Sequence, residues 1–201
     1  MSSAASTASR RKARELALQV LYAVDHSEGA HVRKARADEP SVDSAHETAA
    51  DTAPRTAPEA PPLPVVTERF ARRPRKSAPI WTPSEPATPE ETFEAVAEHF
   101  EIATGAREFA RELALETRAR EDEIDALVGA HARNWRVDRM AVVDRNILRL
   151  ATYELRFTDT PTGVVLDEAI NLARRFGDDP SPGFVNGILD AVARGVRPSP
   201  A

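Results

Sequence analysis

Eleven of the chain's sixteen prolines fall between Pro40 and Pro89, and no glycine occurs between Gly29 and Gly105. No other feature restricts the fold as much, because proline has no backbone donor and breaks helix interiors and central strands alike. Between Ser27 and Pro89 lie 63 residues whose only large hydrophobes are Val32, Val42, Leu63, Val65, Val66, Phe70, Ile80 and Trp81. Eight such side chains cannot offset the ordering entropy of the whole stretch. Residues 26–89 therefore read as a disordered, somewhat stiff insertion, spanning about 45 Å root-mean-square as a flexible coil. The fold has to come from residues 1–25 and 90–196, with 197–201 as a tail.

Those flanks carry helical spacing. Over Arg10–Asp25, Ala13, Leu16, Ala17, Val20 and Val24 recur every three or four residues, the stripe of a helix facing a core. A turn of about 100° per residue puts Arg11, Leu18 and Tyr22 on the other side, so the tyrosine shares a solvent face with a cation. From Glu90 onward, Phe93, Val96, Ala97 and Phe100 predict a second helix, and an amphipathic run from Ala106 to about His131 predicts a third. Val137–Phe157 is apolar almost all round, which marks the most buried helix. Thr160-Pro161 reads as the start of the next helix and Gly177 as its end. A last helix follows Asp178-Asp179-Pro180-Ser181-Pro182 and buries Val185, Ile188, Leu189 and Val192. No alternating strand pattern competes, so the expected fold class is all-α, a compact bundle of about six or more helices with the insertion after the first.

Chemistry is sparse in this sequence. Without cysteine there is no disulfide, thiolate metal site or cysteine nucleophile, which fits a reducing compartment. The five histidines show no two-ligand helical spacing, and the acidic pairs Asp167/Glu168 and Asp178/Asp179 read as solvated faces. No Gly-rich phosphate loop or nucleophile elbow is present. The chain therefore reads as a non-enzyme with no metal and no cofactor, and its lack of long apolar runs predicts a cytoplasmic protein away from membranes. The charge is uneven. Net charge is −5, yet residues 1–14 hold Arg10, Arg11, Lys12 and Arg14 without an acid. A second cluster, Arg69–Lys76, puts five cations in eight residues ahead of Trp81, and reads either as an auxiliary RNA-binding arm or as solubilising charge.

RRKARELALQVLY at 10–22, DRNILRLATYEL at 144–155 and DEAINLARRFGDDPSPGFVNGILD at 167–190 together resemble the NusB family of bacterial transcription antitermination factors. The resemblance implies a helical fold of two three-helix halves. It also implies pairing with the ribosomal protein NusE, binding to boxA RNA of nascent transcripts, and action within the elongation complex of RNA polymerase on ribosomal RNA operons. By the same resemblance RNA contacts fall at Arg10, Arg11, Lys12, Arg14, Tyr22 and Phe184. That set is chemically sensible, since cations hold phosphates and aromatic faces stack under splayed bases. Plainer readings stand beside it: Tyr22 packing on the insertion, Phe184 as a core residue at a helix start, and the basic run as solubilising charge. The NusE surface is implied to begin at Asp144 and to include Arg145 and Arg149, in a stripe continued by Arg156 that reads equally as intramolecular salt bridging. Two loop positions where the family often carries an acid and a base are Pro180 and Gly183 in this chain, so a charged loop contact to RNA is expected to be missing. An alternative function is a NusB-like targeting domain for an rRNA-modifying enzyme, and another is an adaptor that has lost RNA binding.

Overall fold

The computed structural model describes residues 2–38, 88–132 and 135–197, with side chains placed from Thr7 to Ser27 in the first helix. Among the described residues there are seven α-helices and no strand: α1 (Ser2–Asp38), α2 (Pro89–Ala97), α3 (Thr104–Ala119), α4 (Glu121–His131), α5 (Val142–Phe157), α6 (Thr162–Phe176) and α7 (Ser181–Val196). A single 3-10 turn, Val137–Arg139, leads into α5. Helix α1 packs against α2, α3 and α5, while α5 also packs against α4, α6 and α7, so α5 joins two groups of helices. The expectation that this helix lies at the centre is met: every residue from Ile147 to Leu155 is buried.

Helix α1 departs from its predicted outline in two ways. Its backbone stays helical to Asp38, past His26 where the insertion was expected to begin, and residues 39–87 lie outside the described residues. It is also buried nearly all round. Leu18 and Leu21 are as enclosed as the stripe of Leu16, Ala17 and Val20, so the prediction of a solvent-facing Leu18 fails. The reason is tertiary, since three neighbouring helices wall α1 and leave little of its circumference to water.

Helix α2 begins where its sequence says it should. Thr88 accepts a hydrogen bond from the Glu91 amide at 3.2 Å, and the Glu91 carboxylate accepts one from the Thr88 amide at 2.8 Å. With Pro89 at the first helical position, this is a reciprocal cap of the helix start. The run predicted from Ala106 to His131 is two helices, because Arg120 leaves helical geometry at φ −111°, ψ 21°. Glu121, Asp122 and Glu123 then open α4, where carboxylates favour a new helix N-terminus.

Helix α6 starts at Thr162, after Pro161, with no side-chain cap. Thr160, the expected cap, instead accepts a hydrogen bond from the Thr158 hydroxyl at 3.0 Å, while its carbonyl accepts one from Arg197 at 2.6 Å. Arg197 donates to the Glu154 and Thr158 carbonyls as well, closing the C-terminal end of α5. Gly177 ends α6 in extended backbone, φ −85°, ψ −178°. A Cβ there would stand 2.5 Å from Ser181 Cβ and 2.7 Å from the Ala173 carbonyl oxygen, so close approach and not handedness requires glycine. Val185, Ile188, Leu189 and Val192 of α7 are all buried as predicted.

Candidate nucleic-acid interface

Arg10 and Lys12 are exposed at the start of α1, and the Arg10 guanidinium lies 5.4 Å from the centre of the Phe109 ring. Arg11 is half exposed. Its Nε and Nη2 donate to the Glu168 carboxylate at 3.1 and 2.7 Å, and these bonds raise its pKa above the ordinary arginine value. Arg14 does not belong to this surface. It is 3% exposed, with Nε and Nη2 donating to the two oxygens of Glu154 at 2.8 and 2.6 Å. One turn of helix separates Arg10 from Arg14, yet α5 covers only the second, so the four-cation run divides into surface and core.

Tyr22 is half buried, and its ring is stacked near-parallel on His26 with centroids 6.1 Å apart. At about 100° per residue it shares a face of α1 with Arg11 and Glu15. Glu15 accepts an ion-pair hydrogen bond from Arg175 as Arg11 donates to Glu168, so α1 and α6 run in the same direction here. Tyr22 lies about 10 Å further along α1 than Glu15. Arg174 and Arg175 are exposed in the last turn of α6, where Arg175 meets Glu15. They supply cations that sequence reasoning did not single out, though adjacent arginines in a helix's last turn were visible in the motif.

The second aromatic group lies on another part of the fold. Phe184, in the first turn of α7, is half buried, and its ring meets Trp135 in a T-shaped contact at 5.3 Å and 71°. Trp135 is 56% exposed and carried no expectation from sequence. Its signal was weak because a lone tryptophan between helices is indistinguishable from a core residue until its surroundings are known.

Asp144, Arg145 and Arg149, expected on a partner surface, are engaged within the chain. Asp25 of α1 accepts from Arg145 at 2.7 Å, from Asn146 at 3.2 Å and from Arg149 at 3.3 Å. Arg149 also donates to Asp125 at 2.6 Å and pairs with Glu121 at 2.7 Å. Burial works against the charge on Arg149, but hydrogen bonds and charge from Asp125 and Asp25 outweigh it and raise its pKa. Asp144 is itself buried. Of the stripe, Arg156 alone is exposed, lying 5.8 Å from the centre of the Phe157 ring. The described residues contain no cluster of His, Cys, Asp and Glu fit for a metal ion and no helix long and apolar enough to cross a membrane.

The model of the NusB family matches residues 83–194. The chain belongs to the NusB family. A transcription antitermination protein NusB from Myxococcus xanthus (strain DK1622) is 49% identical over 86 residues, 42% of this chain and 61% of that protein. The NusB of Desulfotalea psychrophila is 42% identical over 108 residues, covering 53% of this chain and 77% of the relative. The alignment thus spans less than two thirds of the Myxococcus protein's length. Among solved structures, T. maritima NusB superimposes with a TM-score of 0.58 at 27% identity, covering 94% of this chain and 93% of that one. A chain from a crystal structure of antitermination factors NusB and NusE in complex with dsRNA matches with a TM-score of 0.50 at 32% identity, over 54% of this chain and 82% of its own length.

Proposed function

We propose that this NusB-family chain is a transcription antitermination factor that binds boxA RNA of nascent transcripts as the partner of ribosomal protein NusE. It acts within the elongation complex of RNA polymerase and supports processive transcription of ribosomal RNA operons. On this reading it works in the cytoplasm, by binding alone, with neither cofactor nor catalytic step. The observation that carries the proposal is the likeness to a NusB solved together with NusE and RNA. The exposed cations Arg10 and Lys12, the half-exposed Arg11 and the ring of Tyr22 on one helix supply a matching surface of phosphate and base contacts. Arg14 is left out of that surface, because its charge is spent on Glu154. Phe184 contributes a second, separate RNA contact together with Trp135. Arg145 and Arg149 serve pairing with NusE indirectly, by holding the edge where α1 meets α5 through Asp25, with Asp144 buried on the same helix.

The mechanism is binding linkage. A patch of two exposed cations beside the paired Arg11 holds RNA weakly, and a second protein adds its contacts to the same strand, so each partner raises the other's affinity by the same coupling free energy. A titration of boxA RNA against this protein, NusE and their mixture tests it. The mixture is expected to bind more tightly than either protein alone. Arg10→Ala with Lys12→Ala should weaken binding and flatten the salt dependence by about 1.4 log units, roughly 0.7 for each single-strand phosphate no longer neutralised. Wild-type affinity and slope in that double variant would remove the patch from the interface.

A further inference from the structure

The described residues expose three large hydrophobic side chains, Trp135, Val142 and Val164, of which Trp135 is the largest and the most exposed. An indole with more than half of its surface in water has at least one open face. Its position is nevertheless held, because Phe184 meets it in a T-shaped contact and is itself packed against the core from the first turn of α7. A rigid, open aromatic plate costs little ordering entropy when something stacks on it. Its surroundings are polar and cationic. Arg136 is 69% exposed in its side chain and is held to Asp138 by two hydrogen bonds at 3.0 and 2.9 Å, while Arg139, three residues further on, is exposed. An exposed ion pair of that kind is worth little, so Arg136 can exchange its carboxylate for a phosphate at small cost.

A protein-binding hot spot and a nucleobase platform both use tryptophan with arginine, and the neighbourhood decides between them. Protein interfaces build an apolar core around their aromatic anchor, usually over several hundred Å². Here the exposed residues that follow Trp135 along the chain, Arg136, Asp138 and Arg139, are all charged, the exposed neighbours of Phe184 along α7, Gly183, Asn186 and Gly187, are small or polar, and Phe184 itself is half buried. An isolated plate flanked by cations is the arrangement that takes one unpaired base with its phosphates on either side.

We propose that Trp135 is a base-stacking platform for single-stranded RNA, with Phe184 as the residue that positions it and Arg136 and Arg139 as phosphate contacts. The platform is a separate contact from the α1 patch, and it rests on the reading of this chain as an RNA-binding protein.

The chain's only other tryptophan is Trp81, so Trp81→Phe makes the full-length protein a single-tryptophan reporter. The probe is an unlabelled boxA oligoribonucleotide for indole fluorescence, and a labelled copy for anisotropy, each with and without NusE. Expected are saturable quenching of Trp135 by RNA, and an affinity loss of about 5- to 150-fold for Trp135→Ala at an unchanged salt slope. Trp135→Phe should recover most of the loss, and both variants should keep the wild-type helical circular dichroism. RNA binding with neither quenching nor sensitivity to Trp135→Ala would overturn the platform while leaving the RNA-binding function intact. Quenching by NusE alone, with Trp135→Ala weakening only that pairing, would overturn it in favour of a protein contact. No RNA binding by the protein or by its mixture with NusE would overturn both the platform and the function on which it rests.

Discussion

Arg14 and Glu154 are the most enclosed charges among the described residues, 3% and 2% exposed, and they satisfy each other through two parallel hydrogen bonds. Removing one partner strands the other in a medium that cannot solvate it, which typically costs about 3–5 kcal/mol, whereas replacing both by apolar residues is often neutral. Arg14→Ala is therefore expected to lower stability by that amount in urea denaturation, and Arg14→Met with Glu154→Leu to recover most of it. A double variant no more stable than Arg14→Ala would show that the pair contributes more than mutual neutralisation. Arg11 is the intermediate case, because its guanidinium stays half exposed while Glu168 is buried. Losing Arg11 thus perturbs both RNA affinity and the fold, which makes Arg10 and Lys12 the cleaner pair for testing the interface.

At the scale of single helices, capping and charge explain boundaries that apolar spacing leaves open. The bond from the Thr88 amide, reinforced by the Thr88 hydroxyl, holds the Glu91 carboxyl below its ordinary value of 4.5. A carboxylate whose folded pKa is depressed contributes stability that is fully present above the unfolded value and is lost as pH falls through the folded one. Glu91→Ala should accordingly melt at a lower temperature than the wild type at pH 7, with the gap narrowing as the pH falls below the ordinary carboxylate value of 4.5. A gap of constant size across that range would mean that the carboxylate takes no part in the cap. Thr88→Ala, which removes the other half, should cost about 1 kcal/mol. The α3–α4 joint obeys the same logic, with three acids in a row starting a new helix where periodicity alone saw one continuous run.

In the whole molecule, a long stretch of sequence separates α1 from the helices it packs against, and the described core runs over Ala13–Val24 and Phe93–Ala193. The few large hydrophobes between Ser27 and Pro89 predict that the segment contributes little to stability. Replacing residues 30–87 with a Gly/Ser linker of about a dozen residues shortens the loop by roughly two halvings, a gain near 1–1.5 kcal/mol. Thermal unfolding should stay cooperative with a slightly higher midpoint. Loss of a single sharp transition would show that the segment is part of the fold. Thr88 must be kept in such a variant, since it caps α2.

The sequence by itself determined the helical class, the centrality of the fifth helix, the apolar faces of α2 and α7 and the family, because these depend on spacing and on local motifs that survive without neighbours. It could not determine which charges face water. Arg10 and Arg14 are one helical turn apart and chemically identical, and only the packing of α5 against α1 makes one a surface cation and the other a core ion pair. The stripe of Arg145 and Arg149 read equally as a partner surface and as intramolecular salt bridging, and only the fold, by bringing Asp25 from more than a hundred residues earlier against the two arginines, favours the second. Trp135 and Phe184, 49 residues apart, form a pair only in the folded chain. Burial and pairing are properties of what approaches a side chain from elsewhere in the molecule, and the tertiary structure alone decides them.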